Sequence, residues 1–172
     1  MWWAVAYENE HVRKAITEFK YNSNRSLAET LADFIVASVK KRAQAHNAHI
    51  PADAILLAVP LHTQKRRLRG FNQSELVASH IARALSLPLL QANVLTRTRN
   101  TSPQAQAGGR EKRMKNVDHV FMIHETVAHK IKDRLIILVD DIATTGSTLN
   151  DAARALKEAG AAHVWGLVVA KG

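Results

Sequence analysis

The sequence predicts an α/β fold in which a mostly parallel central sheet is flanked by helices. Two continuous apolar runs, one at 54–59 and one at 135–139 within a strand predicted over 134–139, are typical of strands that are buried on both faces. A third apolar run, at 164–169, follows the last helical pattern of the chain. Because strand, helix and strand succeed one another, a parallel sheet covered by helices is the expected architecture.

The elements follow from local sequence patterns. Helices are predicted, from apolar residues at spacings of three and four, over 10–20, 26–43, 72–86 and 149–159. The second helix is expected to bury Leu27, Leu31, Phe34, Ile35 and Val39. The last helix is expected to end at Gly160, where a left-handed residue is favoured. Between these elements the pattern predicts a basic loop at 61–70, a short strand at 93–95, a long loop at 97–110 and a strand or hairpin arm at 117–123.

Length and composition indicate one domain, 1–172, with a helical N-terminal part at 1–50 and a core at 51–172. No apolar run approaches the roughly 20 residues that a membrane-spanning helix needs. The first residues lack the basic start of a signal peptide, so a cytoplasmic location is expected. Without cysteine the chain has no disulfides and no thiolate metal site.

The charge is unevenly distributed. The formal net charge is +9, and the excess lies in two segments, 65–69 and 97–115. Scattered surface lysines would only promote solubility, whereas concentrated positive charge attracts a polyanion. The alternative is that both segments are solvated surfaces.

The segment 135–148 carries the clearest chemistry. A strand that stops at Asp140 and Asp141 places two carboxylates at the carboxyl edge of a parallel sheet, where ligands bind in such folds. The following small residues and a helix that begins near Ser147 can direct backbone N–H groups at a phosphate. Hydroxyl donors to the same phosphate are available on Thr144, Thr145, Ser147 and Thr148. Carboxylates accept hydrogen bonds from ribose hydroxyls and can share the site with Mg²⁺. The segment therefore predicts a site for ribose 5-phosphate. In the simpler alternative the carboxylates only turn the chain and Ser147 only caps a helix.

The string at 138–148, Leu-Val-Asp-Asp-Ile-Ala-Thr-Thr-Gly-Ser-Thr, resembles the diphosphate-sugar motif of type I phosphoribosyltransferases. The resemblance implies that fold, with the N-terminal helices as a hood, and a site for 5-phosphoribosyl-1-diphosphate. The implied binding residues are Asp140, Asp141, Ala143, Thr144, Thr145, Gly146, Ser147 and Thr148. It also implies Mg²⁺ as a cofactor, held indirectly by Asp140 and Asp141.

Further strings are similar to the ComF/GntX family, and this resemblance spans about 7–170. They are Val59-Pro60-Leu61-His62, Arg69-Gly70-Phe71-Asn72-Gln73 and Arg97-x-Arg99-x-Thr101-x-x-Gln104. The family implies a diphosphate loop at Pro60, Leu61 and His62, and a mobile loop at 97–113 that closes over the site. The implied catalytic residues are Asp141, Lys65, Arg66, Arg69, Arg97 and Arg99. For Asn72 and Gln73, helix capping and packing are as good an explanation as a role in the site.

ComF-type proteins are associated with competence and DNA uptake, so single-stranded DNA and the uptake machinery are further candidate partners. The chain is therefore expected to be a phosphoribosyltransferase-like protein, with turnover and the acceptor nucleophile left open. One alternative is a single-stranded DNA-binding factor with a regulatory or inactive pocket, and another is a regulator that senses the sugar diphosphate. Many family members carry an N-terminal cysteine cluster that looks like a zinc ribbon, whereas this chain has no cysteine. The chain is therefore expected either to belong to a shorter branch of the family or to have had that segment removed or lost. A dimer is one candidate assembly.

Overall fold

A computed structural model describes residues 2–6, 9–21, 26–47, 49–98 and 120–172. The strands are β1 (Trp2–Ala6), β2 (Ile55–Ala58), β3 (Leu89–Leu90), β4 (Leu95–Arg97), β5 (Phe121–Ile123), β6 (Leu135–Ala143) and β7 (His163–Lys171). The α-helices are α1 (Glu10–Tyr21), α2 (Leu27–His46), α3 (Thr63–Arg69), α4 (Gln73–Leu85), α5 (Glu125–Ala128) and α6 (Ser147–Glu158). The predicted α/β class with a mostly parallel sheet flanked by helices is confirmed.

The central sheet has the strand order β1-β7-β6-β2-β3, and all of its neighbouring strands are parallel. From β2 the chain passes through α4 to β3 on one side, and from β6 it passes through α6 to β7 on the other. The direction of the connections therefore reverses between β2 and β6. Open α/β sheets bind ligands at such a point, beyond the carboxyl ends of the strands.

Each face of the sheet contributes to its own hydrophobic core, because side chains alternate along a strand. In β6, Ile137 and Val139 pack into a core with residues of α1, α2 and α4. Ile136 and Leu138 pack into a second core with residues of α6 and of the antiparallel pair β4–β5. Helices on both faces thus leave the carboxyl edge of the sheet open for a site.

The N-terminal helices have different positions. Helix α2 packs on α4, β1 and β7, so it belongs to the layer on one face of the sheet. Helix α1 ends near the carboxyl edge and brings Lys20 to Asp141. The predicted buried stripe of α2 is wrong at Phe34, which is 47% exposed, and Leu27 is only partly buried. The buried residues of α2 centre on Leu31, Ile35 and their small neighbours, which places Phe34 at the flank.

Several local predictions need correction. The predicted basic loop at 61–70 contains helix α3, and the predicted strand at 93–95 is a 3-10 turn (Ala92–Val94) followed by β4. Strand β6 continues through both carboxylates to Ala143 instead of stopping at them. Strands β1 and β3 were not predicted.

One further prediction is confirmed, and others fall partly on residues that the structure does not describe. Gly160 follows α6 with a φ of 95°, which is the left-handed conformation expected there. The described part of the predicted arm at 117–123 contains β5 (Phe121–Ile123), whereas 99–119, which includes most of the predicted loop at 97–110, lies outside the described residues. Within the described chain, no helix combines the length and the apolar character needed to cross a membrane.

Candidate functional site

The turn between β6 and α6 forms a small cradle at the carboxyl edge. It is lined by Asp140 and by residues 142–149. Gly146 adopts a left-handed φ of 75°, a conformation that glycine reaches without steric cost. Helix α6 begins at the next residue, so its unpaired N–H groups and positive dipole end face the cradle. The Thr145 hydroxyl donates to the Ser147 hydroxyl at 3.0 Å and accepts from the Ser147 N–H at 3.4 Å. These groups can bind a phosphate.

A larger cleft of about 130 Å³ lies beside the cradle, between the carboxyl ends of β2 and β6. Its lining residues are Lys20, Val59, Pro60, Leu61, Lys65, Arg69, Gln73, Ser74, Arg97, Asp140, Asp141 and Thr148. Four of them are cations and two are carboxylates, so the cleft carries an excess of positive charge. It can therefore hold a ligand with several negative charges next to groups that hydrogen-bond to hydroxyls.

The cations of the cleft affect one another. Burial, followed by repulsion from Arg97, Arg69 and Lys20, lowers the pKa of Lys65. Burial also lowers the pKa of Arg97, against the attraction of Asp140 and Asp151. An anion bound among these side chains would relieve both effects, because it compensates for lost hydration and offsets the repulsion between like charges.

Each carboxylate has its own partners. Asp140 accepts hydrogen bonds from the Ser74 hydroxyl and from the Asp141 N–H, both at 2.9 Å. Burial, reinforced by the charge of Asp141, raises the pKa of Asp140 to about 7, although these hydrogen bonds and Lys20 act in the opposite direction. The Asp141 carboxylate pairs with the Lys20 ammonium at 2.9 Å. The two carboxylates are therefore fixed by residues from α4 and α1.

The start of α4 is unusually polar for a buried segment. Asn72, Gln73 and Ser74 are 2%, 1% and 3% exposed. Asn72 caps α4 by accepting from the Ser74 N–H at 3.2 Å, and its side-chain nitrogen donates to the Val59 carbonyl at 3.1 Å. The cap therefore joins α4 to the end of β2, which positions Gln73 and Ser74 at the cleft.

Most of the predicted site residues lie together. The cleft contains Pro60, Leu61, Lys65, Arg69, Arg97, Asp140, Asp141 and Thr148. The cradle contains Ala143, Thr144, Thr145, Gly146 and Ser147, and also reaches Asp140 and Thr148.

Two predicted residues are placed differently, and a third is not described. Arg66 does not line the cleft; its side chain is 56% exposed and pairs with Glu75 at 3.3 Å. His62 caps α3, where its Nδ1 accepts from the Gln64 N–H at 3.3 Å. Arg99 lies outside the described residues.

Sequence reasoning gave no role to Lys20 or Ser74. Nothing local in the sequence connects Lys20 with a carboxylate 121 residues later. Ser74 bonds to Asp140 across 66 residues. The only usable indication was that Ser74 directly follows the polar string at 69–73.

The parallel sheet, the reversal of its connections between β2 and β6 and the cradle at a helix start define an open α/β protein of the doubly wound class. Residues 72–171 match the model of the phosphoribosyl transferase domain, and the chain belongs to that family. The match includes the cradle, both carboxylates and Ser74.

Curated relatives extend the similarity to the N-terminal part. The chain is 30% identical over 154 residues to competence protein F of Haemophilus influenzae, covering 88% of this chain and 65% of the relative. It is 31% identical over 149 residues to the DNA utilization protein YhgH of Escherichia coli (strain K12), covering 87% and 62%. It is 27% identical over 157 residues to competence protein ComFC of Bacillus subtilis, covering 90% and 57%. These matches confirm the ComF resemblance, and the chain spans somewhat less than two thirds of each relative.

Proposed function

We propose that the chain binds 5-phosphoribosyl-1-diphosphate in the joined cradle and cleft. The observation that carries this proposal is the position of Lys65, Arg69 and Arg97 around Asp140 and Asp141, directly beside the cradle. A phosphate, a diol and a diphosphate then each meet groups of the appropriate chemistry.

The residues divide the ligand among them. The cradle N–H groups and the hydroxyls of Thr145 and Ser147 bind the 5-phosphate. Asp140 and Asp141 accept hydrogen bonds from the ribose hydroxyls. Lys65, Arg69 and Arg97 neutralise the diphosphate, and this part of the proposal agrees with the burial and the repulsion between cations that lower the pKa of Lys65.

The cleft also fits Mg²⁺ that arrives with its ligand. Among the described residues no cluster of three or more acidic or histidine side chains could hold a metal. Mg²⁺ needs no such cluster, since it commonly takes one or two carboxylates together with substrate phosphates. Asp140 and Asp141 supply the carboxylates, directly or through water. When bound, Mg²⁺ would withdraw charge from the diphosphate oxygens.

A transferase reaction at this site would displace pyrophosphate from C1 of the ribose by a nitrogen nucleophile. The nitrogen lone pair forms the new bond to C1, while the bond from C1 to the diphosphate oxygen breaks and its electron pair leaves with pyrophosphate. The nitrogen then loses a proton to water. Lys65, Arg69 and Arg97 would stabilise that leaving charge, and the cradle would hold the 5-phosphate in place. Asp141 pairs with Lys20 in the same cleft, and we propose that it orients the nucleophile.

The proposal is tested by titrating the wild-type chain with 5-phosphoribosyl-1-diphosphate, pyrophosphate and ribose 5-phosphate in a calorimeter, with Mg²⁺ present. The variants Lys65→Met and Arg69→Met should lose at least about tenfold in affinity for the two diphosphates, since each removes a charged hydrogen bond. Their affinity for ribose 5-phosphate should change little. Absence of binding by the wild-type chain would overturn the proposal.

Binding of single-stranded DNA is a second candidate, supported by the basic surface of α3. Arg66 and Arg67 are exposed there and do not line the cleft. Base stacking is not available from the nearby rings, because Phe71 packs on Phe19 and is 7% exposed, and Phe121 is 2% exposed. Binding through this surface would therefore use the DNA backbone.

Salt dependence tests the second candidate. Affinity for single-stranded DNA should fall steeply with salt, and charge reversal of Arg66 and Arg67 should reduce the slope by about 1.4 if each contacts one phosphate. A slope that is unchanged by the reversal would exclude this surface.

A further inference from the structure

Gln73 is the residue of the polar start of α4 whose contacts are incomplete. Its neighbours are explained by the fold, since Asn72 caps α4 and ties it to β2, and Ser74 donates to Asp140. Gln73 is 1% exposed and also lines the cleft. Its buried side-chain nitrogen has no hydrogen-bond partner among the described residues. Buried polar groups are normally bonded, so this donor requires an explanation.

The orientation of the Gln73 amide is fixed by Arg69. The Arg69 guanidinium donates to Gln73 Oε1 at 3.1 Å. A guanidinium has donors only, so the amide oxygen must face Arg69 and the amide NH2 must point away from it. The amide therefore has one side engaged with a cleft cation and the other side left as a donor.

We propose that Gln73 contacts the ligand, donating a hydrogen bond from its side-chain nitrogen to a diphosphate oxygen while its side-chain oxygen positions Arg69. This inference rests on the proposed function. An amide suits this place, because it adds a donor to the anion site without adding a fifth cation to Lys20, Lys65, Arg69 and Arg97. It also connects Arg69 and the ligand through one rigid group at the start of α4.

Two substitutions separate the roles of the amide. Gln73→Glu keeps an oxygen for Arg69 and replaces the donor by an anionic oxygen. Gln73→Met keeps the length of the side chain and removes both donor and acceptor. The matched control is Gln44→Glu, which makes the same charge change at an exposed position of α2 that does not line the cleft.

The experiment measures dissociation constants of these variants for pyrophosphate, 5-phosphoribosyl-1-diphosphate and ribose 5-phosphate, with Mg²⁺ present. For both diphosphates, Gln73→Glu should weaken binding about tenfold to hundredfold and Gln73→Met about tenfold. Affinity for ribose 5-phosphate should stay within about twofold of wild type, and Gln44→Glu should behave as wild type with all three ligands. Either variant that retains its circular dichroism spectrum and a cooperative melt is sufficient.

The outcomes separate this inference from the proposed function. If the wild-type chain binds the diphosphates and the Gln73 variants bind them equally well, the inference fails and the proposed function stands. If the variants lose affinity for all three ligands alike, Gln73 has only a structural role and the inference also fails. If the wild-type chain binds none of them, both fail together.

Discussion

At the scale of residues, the site depends on a balance between carboxylates and cations that come from distant parts of the chain. Asp141 has 7% of its surface exposed and is neutralised by Lys20. The carboxylate would be costly to bury alone, because a buried charge requires a partner. The sequence predicted both carboxylates and three of the cleft cations. It assigned no role to Lys20, because Lys20 and Asp141 meet only through the packing of α1 on the core.

Lys20→Met should destabilise the fold. The substitution leaves the Asp141 carboxylate without its cation in a site where the two side chains are 18% and 11% exposed. Removing one partner of a fully buried pair costs about 3–5 kcal/mol, and partial exposure reduces this to about 2 kcal/mol. Thermal melting should therefore show a decrease of about 4–8 °C. Lys20→Arg keeps the charge and should melt close to wild type; equal melting of Lys20→Met and wild type would contradict this account of the pair.

The raised pKa of Asp140 predicts a pH dependence of stability. The carboxyl ionises near 3.8 in the unfolded chain and at about 7 in the folded one, mainly because burial disfavours its charge. The folded state therefore binds the proton more tightly, and the cost of ionising Asp140 grows from about pH 4 to pH 7. Asp140→Asn removes this cost and keeps an oxygen for Ser74. Without Mg²⁺, the melting temperature of Asp140→Asn should exceed that of the wild type by more at pH 8 than at pH 4.5. An equal difference at both pH values would refute the predicted ionisation.

At the scale of elements, sequence patterns found the long helices and buried strands and missed α3. This helix has no apolar face to detect, since none of its residues is buried and Leu68 is 87% exposed. It is delimited instead by the His62 cap and by Gly70 with a φ of 74°. The β6–α6 unit was predicted well, because a buried strand, a glycine turn and an amphipathic helix each leave a local pattern.

The conformation of Gly146 predicts a split between stability and binding. Gly146→Ala and Gly160→Ala both place a Cβ on a left-handed residue, with φ of 75° and 95°, at a cost of about 1–2 kcal/mol each. Melting should fall by about 2–8 °C in both variants. Of these two glycines only Gly146 lines the cradle. Only Gly146→Ala should therefore weaken the binding of ribose 5-phosphate, by about tenfold or more in calorimetric titration. A comparable loss of affinity in Gly160→Ala would mean that general destabilisation explains the effect.

At the scale of the whole molecule, the class of the fold and the edge of the sheet that holds the site follow from the sequence. Buried strands that alternate with helices require a parallel sheet, and the two carboxylates at the end of β6 mark its carboxyl edge. The strand order does not follow, because β1 is short and joins the sheet only by pairing with β7, which lies at the other end of the chain. The place where the connections reverse, between β2 and β6, also does not follow from the sequence, because it depends on the tertiary pairing of these two strands. The cleft lies at that place.

We propose that the cradle and cleft bind 5-phosphoribosyl-1-diphosphate together with Mg²⁺. The most direct measurement is thermal melting of the wild-type chain and of Asp140→Asn/Asp141→Asn, with and without both. A ligand at 100 times its dissociation constant stabilises by about 2.7 kcal/mol, which for a domain of this size is a rise of about 5–10 °C. We expect that rise in the wild-type chain only when Mg²⁺ is present, and we expect the double variant to lose it. No rise at millimolar ligand, or an equal rise in both proteins, would contradict the proposal.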